Sequence, residues 1–86
     1  MPTSSVFFGI QIRMYYDEHP PPHFHAYYED FAISVSISNL VVLKGSFPPR
    51  ALGMVMEWAF QHRQELENNW DLCEKHFPLE KVEPLR

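Results

Sequence analysis

The sequence predicts an α+β fold: a three- to four-stranded, mostly antiparallel sheet with one or two C-terminal helices packed on one face, all in a single small domain over residues 1–86. Three observations carry this expectation. Between Val6 and Ser38 apolar and polar residues alternate with period two, the spacing of half-buried strands. Prolines and turn residues interrupt that alternation at regular intervals. From Arg50 to Phe77 the apolar spacing changes to three and four, the spacing of helices.

Residues 1–5 read as a short tail. Val6 to Tyr16 reads as one strand, with Ile10, Ile12, Met14 and Tyr16 on one face and Gln11, Arg13 and Tyr15 on the wetter one. Asp17 to Pro22 is a connection, because prolines cannot donate to a ladder. His23–Glu29 and Phe31–Ser38 form a hairpin about a Glu29-Asp30 turn. A two-residue loop sets Phe24 against Val35, Ala26 against Ile33 and Tyr28 against Phe31 on the core side, with Ile37 beyond. The same register sets His23 against Ser36, His25 against Ser34 and Tyr27 against Ala32 on the polar side. Val41 to Lys44 is a short apolar strand, expected to be central or covered on both sides because it does not alternate. Ser46-Phe47-Pro48-Pro49 is a helix start. Arg50 to about His62 is apolar nearly all round, so it is deeply buried or borders a second chain. Glu65 to Phe77 carries the narrow stripe Leu66, Trp70, Cys73, Phe77, with Trp58 and Trp70 as core. Pro78 ends it, and Leu79–Leu85 adds an edge strand or packs down as a tail. Whether the two helical stretches join through His62-Arg63-Gln64 is left open by the sequence.

Composition narrows the function. Apolar residues are 45% and aromatics 15% of 86 residues, enough for a folded domain. A formal charge of −4 disfavours broad, sequence-independent nucleic-acid binding, which needs net phosphate neutralisation. The single Cys73 excludes an intramolecular disulfide and a thiolate metal cluster. Met1-Pro2-Thr3-Ser4-Ser5 has no basic n-region and no apolar run approaches membrane-spanning length, so the expectation is a reduced, cytoplasmic protein.

The chemistry-bearing stretch is Asp17-Glu18-His19-Pro20-Pro21-Pro22-His23-Phe24-His25. The proline run is a stiff spacer. Spacing of two on a strand points the His23 and His25 imidazoles to one face. Three readings follow. In the first, His19, His23 and His25 hold zinc or another divalent ion with an open position for hydrolysis, completed or oriented by Asp17 or Glu29. In the second, His23 and His25 form an acid–base pair of a metal-independent ribonuclease, Arg13 grips a phosphate, and Tyr15 or Tyr27 lends a hydroxyl. In the third, the imidazoles bond Ser34, Ser36 and nearby backbone and merely lock the turn, as in a non-catalytic interaction module. His62 and His76 read as charges at helix C-termini, and Cys73 as an inert buried thiol.

The runs Gly9–His19 and Pro21-Pro22-His23-Phe24-His25-Ala26, with Pro49-Arg50-Ala51-Leu52, Glu57-Trp58, His62, Glu65-Leu66, Asn69-Trp70 and Glu83-Pro84-Leu85, resemble a family of short bacterial proteins known as domain of unknown function 4160. Arg13, Asp17, His19, His23 and His25 match its motif position by position. The Ser-rich, apolar stretch Phe31–Val42 departs from the family's more acidic tendency there. Such proteins often sit beside a second small family of unknown function (number 2442), and the pair is proposed as a type II toxin–antitoxin module. The resemblance therefore implies a component, read here as the toxin-like half, of such a pair, with a small cognate protein encoded nearby as partner; the residues themselves add the His/Arg face as working surface, RNA as candidate substrate, a homo-oligomer as a second association, and no membrane.

Overall fold

A computed structural model of the chain describes residues 3–86. The elements are β1 (Thr3–Phe7), β2 (Ile10–Arg13), β3 (His23–Tyr28), β4 (Phe31–Ser36), β5 (Val42–Ser46), α1 (Pro49–Gln61) and α2 (Arg63–Glu74). The strands form one antiparallel sheet in the order β1-β2-β3-β4-β5. The α+β class stands, with five strands instead of three to four and with two helices.

The additional strand comes from Phe8-Gly9. Both residues have positive φ, 49° and 80°, and Phe7 pairs with Ile10 across them. Positive φ at both central positions defines the tight turn whose twist suits a hairpin. The predicted single strand Val6–Tyr16 is therefore a hairpin, and Thr3–Ser5 belong to β1 and not to a tail; Met1 and Pro2 lie outside the described residues. A phenylalanine at the first turn position hid the signal, since Asn or Asp usually stands there.

Elsewhere the register follows the alternation. Tyr28 opposes Phe31, Ala26 opposes Ile33, Phe24 opposes Val35, and His23, Tyr27 and His25 oppose Ser36, Ala32 and Ser34. Ile10 and Ile12 of β2 meet Tyr28 and Ala26. One face thus collects Phe7, Ile10, Ile12, Met14, Phe24, Ala26, Ile33, Val35 and Ile37, all buried. Phe31, expected on this side, lies at the hairpin end and is exposed. Trp58 of α1 fills the middle of the core, against Phe7 (centroids 5.4 Å apart) and Phe24 (6.0 Å).

The last strand corrects a second expectation. β5 is an edge, and all of it except Val42 is exposed. Its apolar run does not reflect cover on both sides. Gly45 (φ 88°) accompanies a register shift opposite Ser34/Val35, and a bulge with an adjacent Lys44 is how an open edge resists pairing with other chains. A Cβ at Gly45 would run into the Ala32 backbone carbonyl. Gly45→Ala therefore combines an unfavourable φ with a backbone clash. It is expected to lower stability by at least about 1–2 kcal/mol, read from the urea midpoint, whereas Gly53→Ala, on an exposed helix face with open space at its Cβ, should raise it.

At the helix start, Ser46 belongs to β5 and does not cap. Pro48 occupies the N-cap position and Pro49 the first turn, where a missing N–H is harmless. α1 buries Ala51, Val55, Trp58 and Ala59 and leaves Leu52, Met54 and Met56 half-buried, with Phe60 72% exposed. One residue separates the helices. His62, at φ −122° and ψ 25°, breaks the spiral while its N–H still bonds Trp58 O (3.1 Å) and Ala59 O (3.2 Å), and its ring takes Glu65 (2.6 Å). α2 ends at Glu74, short of the expected Phe77, and buries Leu66, Asn69, Trp70 and Cys73.

Beyond it the chain packs down as a tail, not a strand. Asn69 Nδ2–H donates to Glu80 O and Glu80 N–H donates to Asn69 Oδ1, both at 3.0 Å. Val82 N–H donates to Ser4 O (2.8 Å), Trp58 Nε1–H donates to Glu83 O (2.7 Å), and the Val82 side chain is buried. The tail so covers the β1 edge.

Candidate functional site

Strand parity builds the polar face. With Ile10, Ile12 and Phe24 turned to the core, Gln11, Arg13, His23, His25 and Tyr27 must project from the other side. Antiparallel pairing sets Arg13 beside His25 and Gln11 beside Tyr27, then His25 beside Ser34 and His23 beside Ser36. The two imidazoles touch edge to face, centroids 5.1 Å apart.

The β2–β3 connection then folds back onto this face. Asp17 takes a positive φ of 62°, so the chain reverses just after Tyr16. The reversal turns Glu18 inward and leaves Asp17 and His19 exposed. Glu18 Oε1 bonds His25 Nε2 and lies 3.4 Å from His23 Nε2. The far nitrogens are also occupied. His23 Nδ1–H donates to Pro21 O at 2.7 Å, and His25 Nδ1 faces Ser34 Oγ at 3.3 Å. All three side chains are largely shielded, between 11% and 26% exposed. Trp70 of α2 lies against the His23 ring, centroids 5.2 Å apart. Glu18 also lines a cavity of about 260 Å³ with Tyr15, Asp17, Trp70, Cys73 and Glu74.

A second set adjoins the first. The Tyr15 and Tyr27 hydroxyls are 2.6 Å apart, and Tyr15 meets the His25 ring edge-on at 4.9 Å. The Arg13 guanidinium sits 5.6 Å above the Tyr27 ring and donates to Gln11 Oε1 at 2.5 Å. Burial, then the hydrogen bond with Tyr15, pushes the Tyr27 phenol up to about 12. Tyr27 therefore remains a hydroxyl, able to donate, through the neutral and mildly alkaline range. Burial and then the Glu18 carboxylate raise the Cys73 thiol above its ordinary value, which keeps it un-ionised.

Among the predicted residues, the structure brings together His23, His25, Arg13, Tyr15, Tyr27 and Ser34. His19 is exposed and outside the group, and it is Glu18, His23 and His25 whose ligand atoms lie within 4.8 Å of one another. The physical reason is the reversal at Asp17, which selects one of two neighbouring residues for the interior. Asp17 instead bonds His76 (2.7 Å), whose ring stacks on Tyr16. Glu29 sits exposed at the opposite end of β3. Ser36 is buried opposite His23 but its Oγ faces Ser38 Oγ at 3.3 Å. Glu18 was visible in the motif yet had no periodic signal, because faces cannot be counted through an irregular turn. Trp70, expected as core, is also a wall of the site.

No helix among the described residues is long and apolar enough to cross a membrane. No curated protein and no solved structure matches the chain. The family model described as "Domain of unknown function (DUF4160)" matches residues 9–71, well over half of the chain and all of β2, the folded-back turn and the His/Glu cluster. The chain belongs to the DUF4160 family.

Proposed function

We propose that this chain is the toxin-like half of a two-protein type II toxin–antitoxin pair in the bacterial cytoplasm, acting on RNA through the polar sheet face. The observation that supports this reading most is the alignment of Arg13 with His25. A guanidinium that can grip phosphate oxygens stands beside an imidazole already oriented by a carboxylate, which is the minimum for phosphodiester chemistry. Tyr27, held as a hydroxyl and 2.6 Å from Tyr15, adds a donor at the same place. The net charge of −4 suits a small local phosphate site better than extended backbone tracking.

The cognate protein has a surface to meet. On α1, Phe60 stands out at 72% exposed and ends an apolar stripe whose earlier members, Met56 and Leu52, are half-buried against the core. A second copy of the chain could use the same stripe.

Induced expression alone is expected to arrest growth, and co-expression of the neighbouring gene product to relieve the arrest through a stable complex. His25→Ala and Arg13→Ala should each remove RNA cleavage by ~100-fold or more, the usual contribution of an acid–base group, with far-UV circular dichroism and melting unchanged. If both variants still arrest growth, the face is a scaffold and the chain is an interaction module.

A further inference from the structure

The hydrogen bonds around His23 fix a tautomer. Pro21 O is a carbonyl and can only accept, so the proton of neutral His23 is on Nδ1 and the lone pair is on Nε2. That lone pair faces Glu18 Oε1, itself an acceptor, at 3.4 Å. Groups so placed need something positive between them, either a proton shared in an ion pair or a metal ion. His25 Nε2 converges on the same carboxylate oxygen, and its Nδ1 has the Ser34 hydroxyl to receive a proton.

From this arrangement we infer that Glu18, His23 and His25 form a divalent metal site, with zinc as the expected occupant. Two imidazole nitrogens and one carboxylate oxygen are the hard-to-borderline donor set that zinc takes in sites retaining an open position. Each imidazole has its remote nitrogen anchored, His23 on a backbone carbonyl and His25 on a hydroxyl, which is how metal-binding histidines are oriented. An N···O separation of 3.4 Å is close to the ligand–ligand spacing of about 3.3 Å that tetrahedral bonds of about 2.0–2.1 Å produce. Binding would require the His25–Glu18 hydrogen bond to open so that the ion takes the place of its proton, with His25 Nδ1–H then donating to Ser34 Oγ. Of the three groups, Glu18 also lines the cavity shared with Tyr15, Asp17, Trp70, Cys73 and Glu74. The site stands on geometry that does not depend on the phosphodiester reading, since a His25 Nε2 that holds a metal cannot also serve there as an acid–base group.

The test is direct titration of tag-free, chelator-stripped protein with zinc, followed by calorimetry and Trp70 fluorescence, and with cobalt(II) followed by visible absorption. One equivalent of zinc should bind, the Trp70 emission should change as the His23 ring is engaged, and cobalt should give the intense bands of a four-coordinate ion. Glu18→Gln, His23→Ala and His25→Ala should each abolish stoichiometric binding while circular dichroism stays that of the parent. Ser34→Ala should weaken it about tenfold, and His19→Ala should leave it unchanged. No stoichiometric zinc in the parent protein, or binding abolished by His19→Ala but retained by Glu18→Gln, overturns the assignment. Zinc binding without growth arrest leaves the metal site standing and removes only the toxin reading. Growth arrest by a parent protein that takes up no stoichiometric zinc removes the metal site and leaves the toxin reading standing.

Discussion

Trp58→Ala should lower the stability of the chain by about 4–6 kcal/mol. Trp58 is fully buried, packs against both Phe7 and Phe24, and its indole N–H donates to Glu83 O at 2.7 Å. Truncating a buried tryptophan removes about 3–5 kcal/mol through lost transfer energy and an unfilled cavity. The carbonyl of Glu83 loses its donor as well, roughly another 1 kcal/mol. At ~0.05–0.15 kcal/mol per residue, a chain of 86 residues has about 4–13 kcal/mol in all. The substitution therefore consumes at least about a third of the available stability, and all of it at the lower end of that range. Trp58→Phe separates the two contributions: it keeps much of the aromatic contact but not the hydrogen bond, and should lose about 1–2 kcal/mol. Urea titration measures both. A Trp58→Ala protein within 1 kcal/mol of the parent would show that the helix layer contributes little to the core.

Asn69→Ala is expected to produce the second-largest loss, from one polar side chain. The Asn69 amide is buried and satisfies both backbone groups of Glu80, donating to the carbonyl and accepting from the N–H, each at 3.0 Å. These bonds pin the tail that crosses β1 through Val82 and reaches Trp58 through Glu83. Removing the amide strands a partly buried donor and acceptor, about 2–3 kcal/mol, and melting should fall by roughly 4–8 °C for each kcal/mol in a chain of this size. Asn69→Asp keeps the acceptor for Glu80 N–H but sets a second oxygen against Glu80 O, so it should not rescue. Trypsin supplies an independent readout. Cleavage after Lys81, which is held by a bond from its Nζ to Thr3 O (3.1 Å), should accelerate in Asn69→Ala more than global stability accounts for. Equal acceleration in a variant of matched stability elsewhere in the core would assign the effect to unfolding and not to the tail.

The predicted register of β3 and β4 agrees with the structure pair by pair, because a one-residue slip would have moved His23, His25 and Tyr27 into the core and Phe24 and Ala26 out of it. The same logic puts Arg13 and Gln11 on the imidazole face on condition that β2 lies beside β3, and the pairing of the two strands meets that condition. Burial of one face dictates parity, and parity dictates which side chains share a surface. Where no face is half-buried the sequence was less legible. Nothing in the composition of Val41–Lys44 distinguishes a covered strand from an exposed edge, and its place at the rim of the sheet follows from strand order. Phe8-Gly9 turns because of backbone angles, not hydropathy.

What the sequence by itself determined is the two-layer arrangement and the polar face carrying Arg13, His23, His25 and Tyr27, since strand and helix periodicities are local consequences of backbone geometry. What only the tertiary structure decided is the third member of the cluster and the orientation of its rings. A chain reversal at Asp17 chose Glu18 over His19, and contacts with Pro21 O, Ser34 and Trp70 set the rings. Those choices depend on where an irregular segment lands against distant elements, and residue spacing does not encode that placement.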